Sequence, residues 1–278
     1  MLPSFFVIGA QKAGTTSLYH YLRSHPQIFL TDTKELNFFI EERNWGRGLD
    51  WYADQFAAAK PGQISGEVNP EYTAFPAFDG VAGRIAATCP DARLIYLVRH
   101  PIQRMRSSYR HALSYNEEYR AIDSAFAHNL GLLVRSLYAM QLERYLQHFP
   151  RERILIVTTE SLRDRRNETL ATILAFLGAD PEVPLGGLEQ TYNRSDQRRV
   201  PRAWLSVAGR SARRRAFLAP YRRRSPARLE WLWTRQPRGR ETDLSPETEA
   251  WLRRRLRPDL VRLRELMGKD FDAWGLLD

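Results

Sequence analysis

Phe5-Phe6-Val7-Ile8-Gly9-Ala10-Gln11-Lys12-Ala13-Gly14-Thr15-Thr16-Ser17-Leu18 is the stretch on which the fold turns. Its first four residues form an uninterrupted apolar run, the pattern of a strand buried on both faces. Gly9 to Gly14 is a loop of small residues around one lysine. From Thr15 to Ser24 the apolar Leu18, Tyr21 and Leu22 recur at helical spacing until Pro26 stops the helix. Strand, glycine-bearing loop and helix in this order bring main-chain N–H groups and the positive end of a helix dipole to one point, which makes a cradle for phosphate-like anions.

Working outward, further buried strands are predicted at Gln63 to Val68, Arg93 to Val98 and Arg153 to Val157. Helical patterns lie between them at Gly83 to Thr88, Ile102 to Ser114, Arg135 to His148 and Asn167 to Leu177, the last ending at Gly178. This alternation predicts an α/β fold with a mostly parallel sheet of four or five strands and ligands at its carboxyl ends. Ser245-Pro246-Glu247 reads as a helix start, with a capping serine, proline at the first position and an acid at the positive end. That helix is expected to break at Pro258 and resume to Gly268. With no repeat and no low-complexity linker, residues 1–278 read as a single domain carrying a basic segment at 198–240 and a helical tail at 245–274.

The chain has 278 residues and a net charge of +10. Its lone Cys89 excludes a disulfide framework and a cysteine metal cluster, and reads as a buried small hydrophobe. The histidines share no metal-ligand spacing, so no metal is expected. No run approaches the ~20 apolar residues that span a bilayer, and no charged leader precedes the first strand; the expectation is a soluble, cytoplasmic, mature chain. Between Arg198 and Arg240 there are fourteen arginines and a single acid, Glu230, so the basic character belongs to one segment. Interleaved with Trp and Phe, that segment reads as irregular or short helical excursions rather than sheet. It leaves open binding of nucleic acid or a peripheral contact with an anionic membrane surface.

Chemistry enters with three segments. The loop nearly fits the G-x-x-x-x-G-K-[ST] pattern of nucleotide triphosphatases, but Thr15 stands where the lysine belongs and Lys12 sits three residues earlier. The strand at 93–98 ends in Arg99-His100-Pro101, where such an enzyme keeps an acid for magnesium. A cation at that strand end suits a second phosphate. Ser107, about two helical turns on, can add a hydroxyl donor to it. In Lys34-Glu35-Leu36-Asn37-Phe38-Phe39, the glutamate beside an apolar run is a candidate general base, partly desolvated and raised in pKa; the plainer reading is a surface acid paired with Lys34. A nucleotide kinase or other triphosphatase remains the enzyme-class alternative.

Taken together, these segments resemble the sulfotransferases that use 3′-phosphoadenosine 5′-phosphosulfate (PAPS), in particular bacterial members and the heparan-sulfate enzymes. Residues 6–18 are similar to the family's 5′-phosphosulfate loop, Leu97 to Pro101 with Arg104 and Ser107 to its 3′-phosphate element, and residues 34–39 to its catalytic-glutamate segment. Gly66 to Tyr72 and Asn193 to Arg199 resemble two further signatures. The resemblance implies a P-loop-like three-layer α/β fold that binds PAPS without metal and releases PAP. Lys12, Ala13, Gly14, Thr15, Thr16 and Ser17 would hold the 5′-phosphosulfate, Arg99 and Ser107 the 3′-phosphate, and Arg198 or Arg199 would cover it. Lys12 would neutralise the leaving phosphate while Glu35 takes the proton of an acceptor hydroxyl on a glycan, lipid or small metabolite. Heparan-type relatives carry histidine in place of Asn37 and lysine in place of Val68, so a heparan-like polysaccharide is disfavoured. On this reading nucleic acid is not the partner.

Overall fold

Phe5–Gly9 forms β1, and all five of its residues are buried at the centre of a five-stranded sheet. Its Phe5, Phe6, Val7 and Ile8 side chains are fully buried, each contributing roughly 1.5–3 kcal/mol by leaving water. The computed structural model describes residues 1–187 except 116 and 119, residues 199–201 and 233–235 as strands, and residues 243–278. They fall into two compact units. The first is Met1–Arg104 with Val134–Tyr192 and Arg253–Asp278, and the second is Met105–Leu133 with Asn193–Leu252.

The first unit holds the sheet. After β1 and α1 (Thr15–Arg23) come β2 (Ile28–Leu30), α2 (Gly48–Asp54), β3 (Ile64–Val68), α3 (Val81–Thr88), β4 (Arg93–Val98) and the start of α4 (Pro101–Ser114). Strand order is β2-β3-β1-β4-β5, with β5 at Ile154–Thr158, and every neighbouring pair is parallel. The chain builds one half of the sheet before crossing beside β1 to build the other, so the switch point lies between β1 and β4, where α/β sheets bind ligands. A P-loop-like α/β fold with a parallel sheet flanked by helices is therefore observed. The strand β2 is additional to those predicted; at three residues it is too short to carry a periodic signal.

Helices α5 (Ile122–His128), α6 (Leu130–Val134), α7 (Tyr138–Leu146), α8 (Thr159–Asp164), α9 (Arg166–Leu177) and α10 (Pro246–Met267) follow along the described residues. The break expected at Pro258 is not found, because α10 runs through it. Proline removes one N–H bond from a helix, but Leu256, Leu260 and Leu263 are all fully buried along one face and keep it docked. Asp259 adds a tie: its carboxylate accepts the N–H groups of Ala139 (3.0 Å) and Met140 (2.8 Å), capping α7 from a neighbouring helix.

In the second unit Ser245 caps α10 as expected, its Oγ accepting the Thr248 N–H at 3.2 Å. The reading of 198–240 as free of sheet is corrected at two places. Strands β6 (Arg199–Pro201) and β7 (Trp233–Arg235) pair antiparallel, with Val200 opposite Thr234, residue types that favour extended backbone. Among the described residues no helix is long and apolar enough to cross a membrane.

One close approach fixes the register of β1 on β3. Gly66 lies opposite Phe5, and a Cβ there would stand 2.1 Å from the Phe5 ring. Gly66→Ala forces that buried ring to move, at a cost of about 1–3 kcal/mol. A thermal melt should show the midpoint falling by roughly 2–10 °C; an unchanged midpoint contradicts the packing described.

Candidate functional site

The loop after β1 is held from both sides. Ala10 N–H donates to Leu97 O at 2.6 Å, tying the loop to the end of β4, and Ala13 N–H closes a turn onto Ala10 O at 3.1 Å. Lys12 and Gly14 both adopt left-handed backbone, with φ of 70° and 93°. Glycine takes that conformation freely, whereas for lysine it costs of order 1 kcal/mol or more. The Thr159 hydroxyl reaches Ala13 O (2.6 Å) and Val98 O (2.9 Å), so one side chain of α8 shares its proton between the loop and the strand end.

Gly14 caps α1, and among the described residues no side chain caps this end and no acid lies in its first turn. The N–H groups of Thr15, Thr16 and Ser17 have no acceptor within the helix and carry its positive dipole end. Arg99, just past β4, donates from Nη1 to Lys12 O at 3.3 Å, while Tyr138 Oη donates to Arg99 O at 2.7 Å. The pairing of β1 with β4 thus brings Lys12, Ala13, Gly14, Thr15, Thr16, Ser17 and Arg99 to one place.

Behind the loop stands a second guanidinium. Arg104 is fully buried, its Nε donating to Ser136 Oγ at 2.6 Å and its Nη1 reaching Gln11 O at 3.5 Å. Burial, and to a lesser degree the charges of Arg135 and Arg99, press it down to about 10, which leaves it a cation at neutral pH. Glu71 holds the side chain of the same loop residue, Gln11. It accepts Gln11 Nε2 at 2.6 Å and Arg135 Nη2 at 3.0 Å, with Arg43 Nη2 at 3.8 Å.

The glutamate segment follows the plainer of the two readings. Glu35 is not desolvated: its side chain is 41% exposed and pairs with Lys34 at 2.7 Å. The physical reason lies in its neighbours, since Leu36, Phe38 and Phe39 turn into the core and leave Glu35 outside. Asn37 holds φ at 54°, donates to Glu35 O at 3.0 Å and accepts from Arg43 at 2.7 Å. A chain of polar contacts therefore runs from Gln11, beside Lys12, through Glu71, Arg43 and Asn37 to Glu35.

Beneath that chain is Glu67 on β3, fully buried and bonded by the hydroxyls of Tyr52 (2.7 Å) and Tyr72 (2.8 Å). Burial pushes its carboxyl up to about 7, against the pull of these hydrogen bonds. Gln11, Glu67 and Glu71 were not assigned individual roles from sequence, and Arg104 was read only as part of the 3′-phosphate element. An acid inside the otherwise buried Ile64–Val68 strand was the visible signal for Glu67. Of the remaining residues, Ser107 is buried on α4 within the second unit, Arg198 lies outside the described residues, and Arg199 is described only as backbone of β6. Cys89 is buried, as read, and its thiol is pushed up to about 12 by burial.

The chain is similar to known proteins. A family described as "Sulfotransferase domain" matches residues 2–195. Human heparan sulfate glucosamine 3-O-sulfotransferase 3B1 is 34% identical over 186 residues, covering 64% of this chain and 46% of that protein. Human bifunctional heparan sulfate N-deacetylase/N-sulfotransferase 3 is 31% identical over 199 residues, covering 65% of this chain and 23% of its own length. The chain thus spans less than half the length of these curated relatives. The solved sulfotransferase from Alicyclobacillus acidocaldarius shares the fold with a TM-score of 0.69, at 24% identity and 99% coverage of both chains.

The buried Glu67 sets a sign for stability against pH. Its folded pKa lies above the ordinary 4.5, so between about 4.5 and about 7 the folded chain keeps a proton the unfolded chain has lost. The stability linked to that proton is full below about 4.5 and is lost as pH rises to about 7, about 3 kcal/mol at most. Thermal melts of wild type and Glu67→Gln at pH 5 and pH 8 should therefore differ in slope, wild type losing several degrees more than the variant. Parallel pH dependences contradict the assignment.

Proposed function

The chain belongs to the sulfotransferase family, and from that premise we propose that it transfers a sulfuryl group from PAPS to an acceptor hydroxyl, giving PAP and a sulfate ester. The observation that carries this reading is the cation at the carboxyl end of β4, where Arg99 Nη1 bonds the main chain of the loop at Lys12. An acid at that position holds magnesium in a nucleotide triphosphatase. A guanidinium there favours a ligand with a second phosphate, and the donor set of Lys12, Arg99 and the first-turn N–H groups of α1 fits a nucleotide carrying anions at both its 5′ and 3′ positions.

When bound, PAPS supplies the sulfuryl group and a nucleotide leaving group. The work left to the protein is positioning and charge neutralisation, as in phosphoryl transfer through a loose transition state. Main-chain N–H groups from Gly14 to Ser17 orient the 5′-phosphosulfate. Lys12 meets the charge that develops on the leaving phosphate, and Arg99 takes the 3′-phosphate. Glu35, exposed beside Lys34, is open to an acceptor hydroxyl and accepts its proton. The names of the heparan sulfate relatives favour a glycan hydroxyl as acceptor. Asn37 and the buried, uncharged Val68 favour one less acidic than heparan.

Labelled PAPS and separate PAP binding titrations test these roles. Glu35→Gln should lower transfer by about 10²-fold or more with PAP affinity nearly unchanged; loss of PAP binding makes Glu35 structural instead. Arg99→Ala should weaken PAP far more than adenosine 5′-phosphosulfate, and equal losses reject its 3′-phosphate role. A magnesium-dependent ATPase activity that survives Lys12→Ala overturns the whole reading.

A further inference from the structure

A carboxylate buried in a central sheet costs several kcal/mol unless its lone pairs are engaged. Those of Glu67 are. Its Oε2 accepts the Tyr52 hydroxyl at 2.7 Å, and its Oε1 accepts the Tyr72 hydroxyl at 2.8 Å and Asn69 Nδ2 at 3.3 Å. The main-chain N–H of Leu36 also favours its charged form. That N–H belongs to the peptide joining Glu35 to Leu36, and the carbonyl of the same peptide accepts Asn37 Nδ2 at 3.0 Å. Asn69 closes the circuit, since its Nδ2 also donates to Asn37 Oδ1 at 3.3 Å.

The peptide next to Glu35 is therefore tied to Glu67 through Asn69 and Asn37, and Asn37 holds its C=O. We propose that Glu67 is the positioning residue for Glu35, its buried carboxylate fixing the Glu35–Leu36 peptide and thereby aiming the base at the acceptor hydroxyl. The inference rests on Glu35 being that base. A second turn of the same circuit reaches the loop. Asn69 Oδ1 accepts the Glu71 N–H at 3.2 Å, and Glu71 holds Gln11 beside Lys12. One strand end thus sets the base and the phosphate loop against each other.

The grip depends on charge. An ionised carboxylate accepts all three side-chain donors, whereas a protonated carboxyl sets its own O–H against one of them. Burial places the change near neutral pH, at about 7. The other titratable groups facing Glu67 are Tyr52 on α2, Tyr72 after β3, Cys89 after α3 and Tyr145 on α7. Burial pushes all three tyrosines well above their usual range, and Cys89 to about 12, so none of the four changes charge near pH 7. Transfer should therefore rise through neutral pH while the stability linked to Glu67 falls.

The test uses the full chain, with labelled PAPS and a panel of p-nitrophenyl glycosides as acceptors, alongside PAP titration and amide hydrogen exchange of residues 35–37. Glu67→Gln should keep PAP affinity within about twofold, lower turnover at pH 8 by about tenfold or more, and raise exchange at Leu36 by a similar factor. It should also flatten the rise of turnover between pH 6 and pH 8. Turnover within twofold of wild type, unchanged Leu36 protection, or PAP affinity falling in step with turnover overturns the proposal. If Glu67→Gln does not fold, Tyr52→Phe removes one donor and keeps the ring stacked on Phe38 at 4.2 Å. It should lower turnover by roughly threefold with PAP affinity intact, and no loss overturns the proposal. Glu35→Gln separates the two claims: full turnover there removes the base itself, whereas loss there with none in Glu67→Gln removes only the positioning role.

Discussion

The bond from Ala10 N–H to Leu97 O, 2.6 Å long, joins the turn after β1 to the last residues of β4, and the arrangement of the site depends on it. Parallel strands present their carboxyl ends on one side of a sheet, so two neighbours at a switch point deliver two loops to one place. Here the first loop brings Lys12 and the open end of α1, and the second brings Arg99. Thr159 then shares its hydroxyl between Ala13 and Val98, locking both against the start of α8. The buried run Phe5 to Ile8 makes this geometry rigid, because shifting β1 by one residue would disturb core contacts along its whole length.

Electrostatics then narrows what the cradle can hold. Arg99 and Arg104 both reach carbonyls of the loop, at Lys12 and Gln11, and Arg135 adds a third guanidinium nearby. Glu71 balances part of that charge through Gln11 and Arg135. A surplus of fixed cations around uncapped N–H groups favours an anion of high charge, and family membership gives that preference a chemical meaning. The fully buried Arg104 belongs to the same logic: pressed down only to about 10, it keeps its charge and holds the loop carbonyl from behind.

Much of this was legible in the sequence. The apolar runs at Phe5 and Arg93, the glycine loop and the arginine at the strand end each carry a local signal, and local signals determine the parallel sheet and the cradle. What was illegible depended on distant partners. Pro258 read as a break because the docking of Leu256, Leu260 and Leu263, and the cap that Asp259 places on α7, are long-range contacts. For Glu35 the sequence left two readings open, because it shows the apolar neighbours but not that they turn inward and leave the carboxylate outside, paired with Lys34. Glu67 showed only as an acid in a strand; its donors come from Tyr52 on α2 and from Asn69 and Tyr72 in the turn after β3.

The central claim is that the strand-end cation replaces the strand-end acid, so that the site takes a nucleotide with phosphates at both ends and does so without a metal. Calorimetric titration of the purified chain with PAP in the presence of EDTA tests it most directly, with AMP and magnesium-ATP titrated in parallel. The account predicts that PAP binds in EDTA and does so at least tenfold more tightly than AMP, the difference reflecting the 3′-phosphate on Arg99. Tight binding of magnesium-ATP with no measurable affinity for PAP would contradict it.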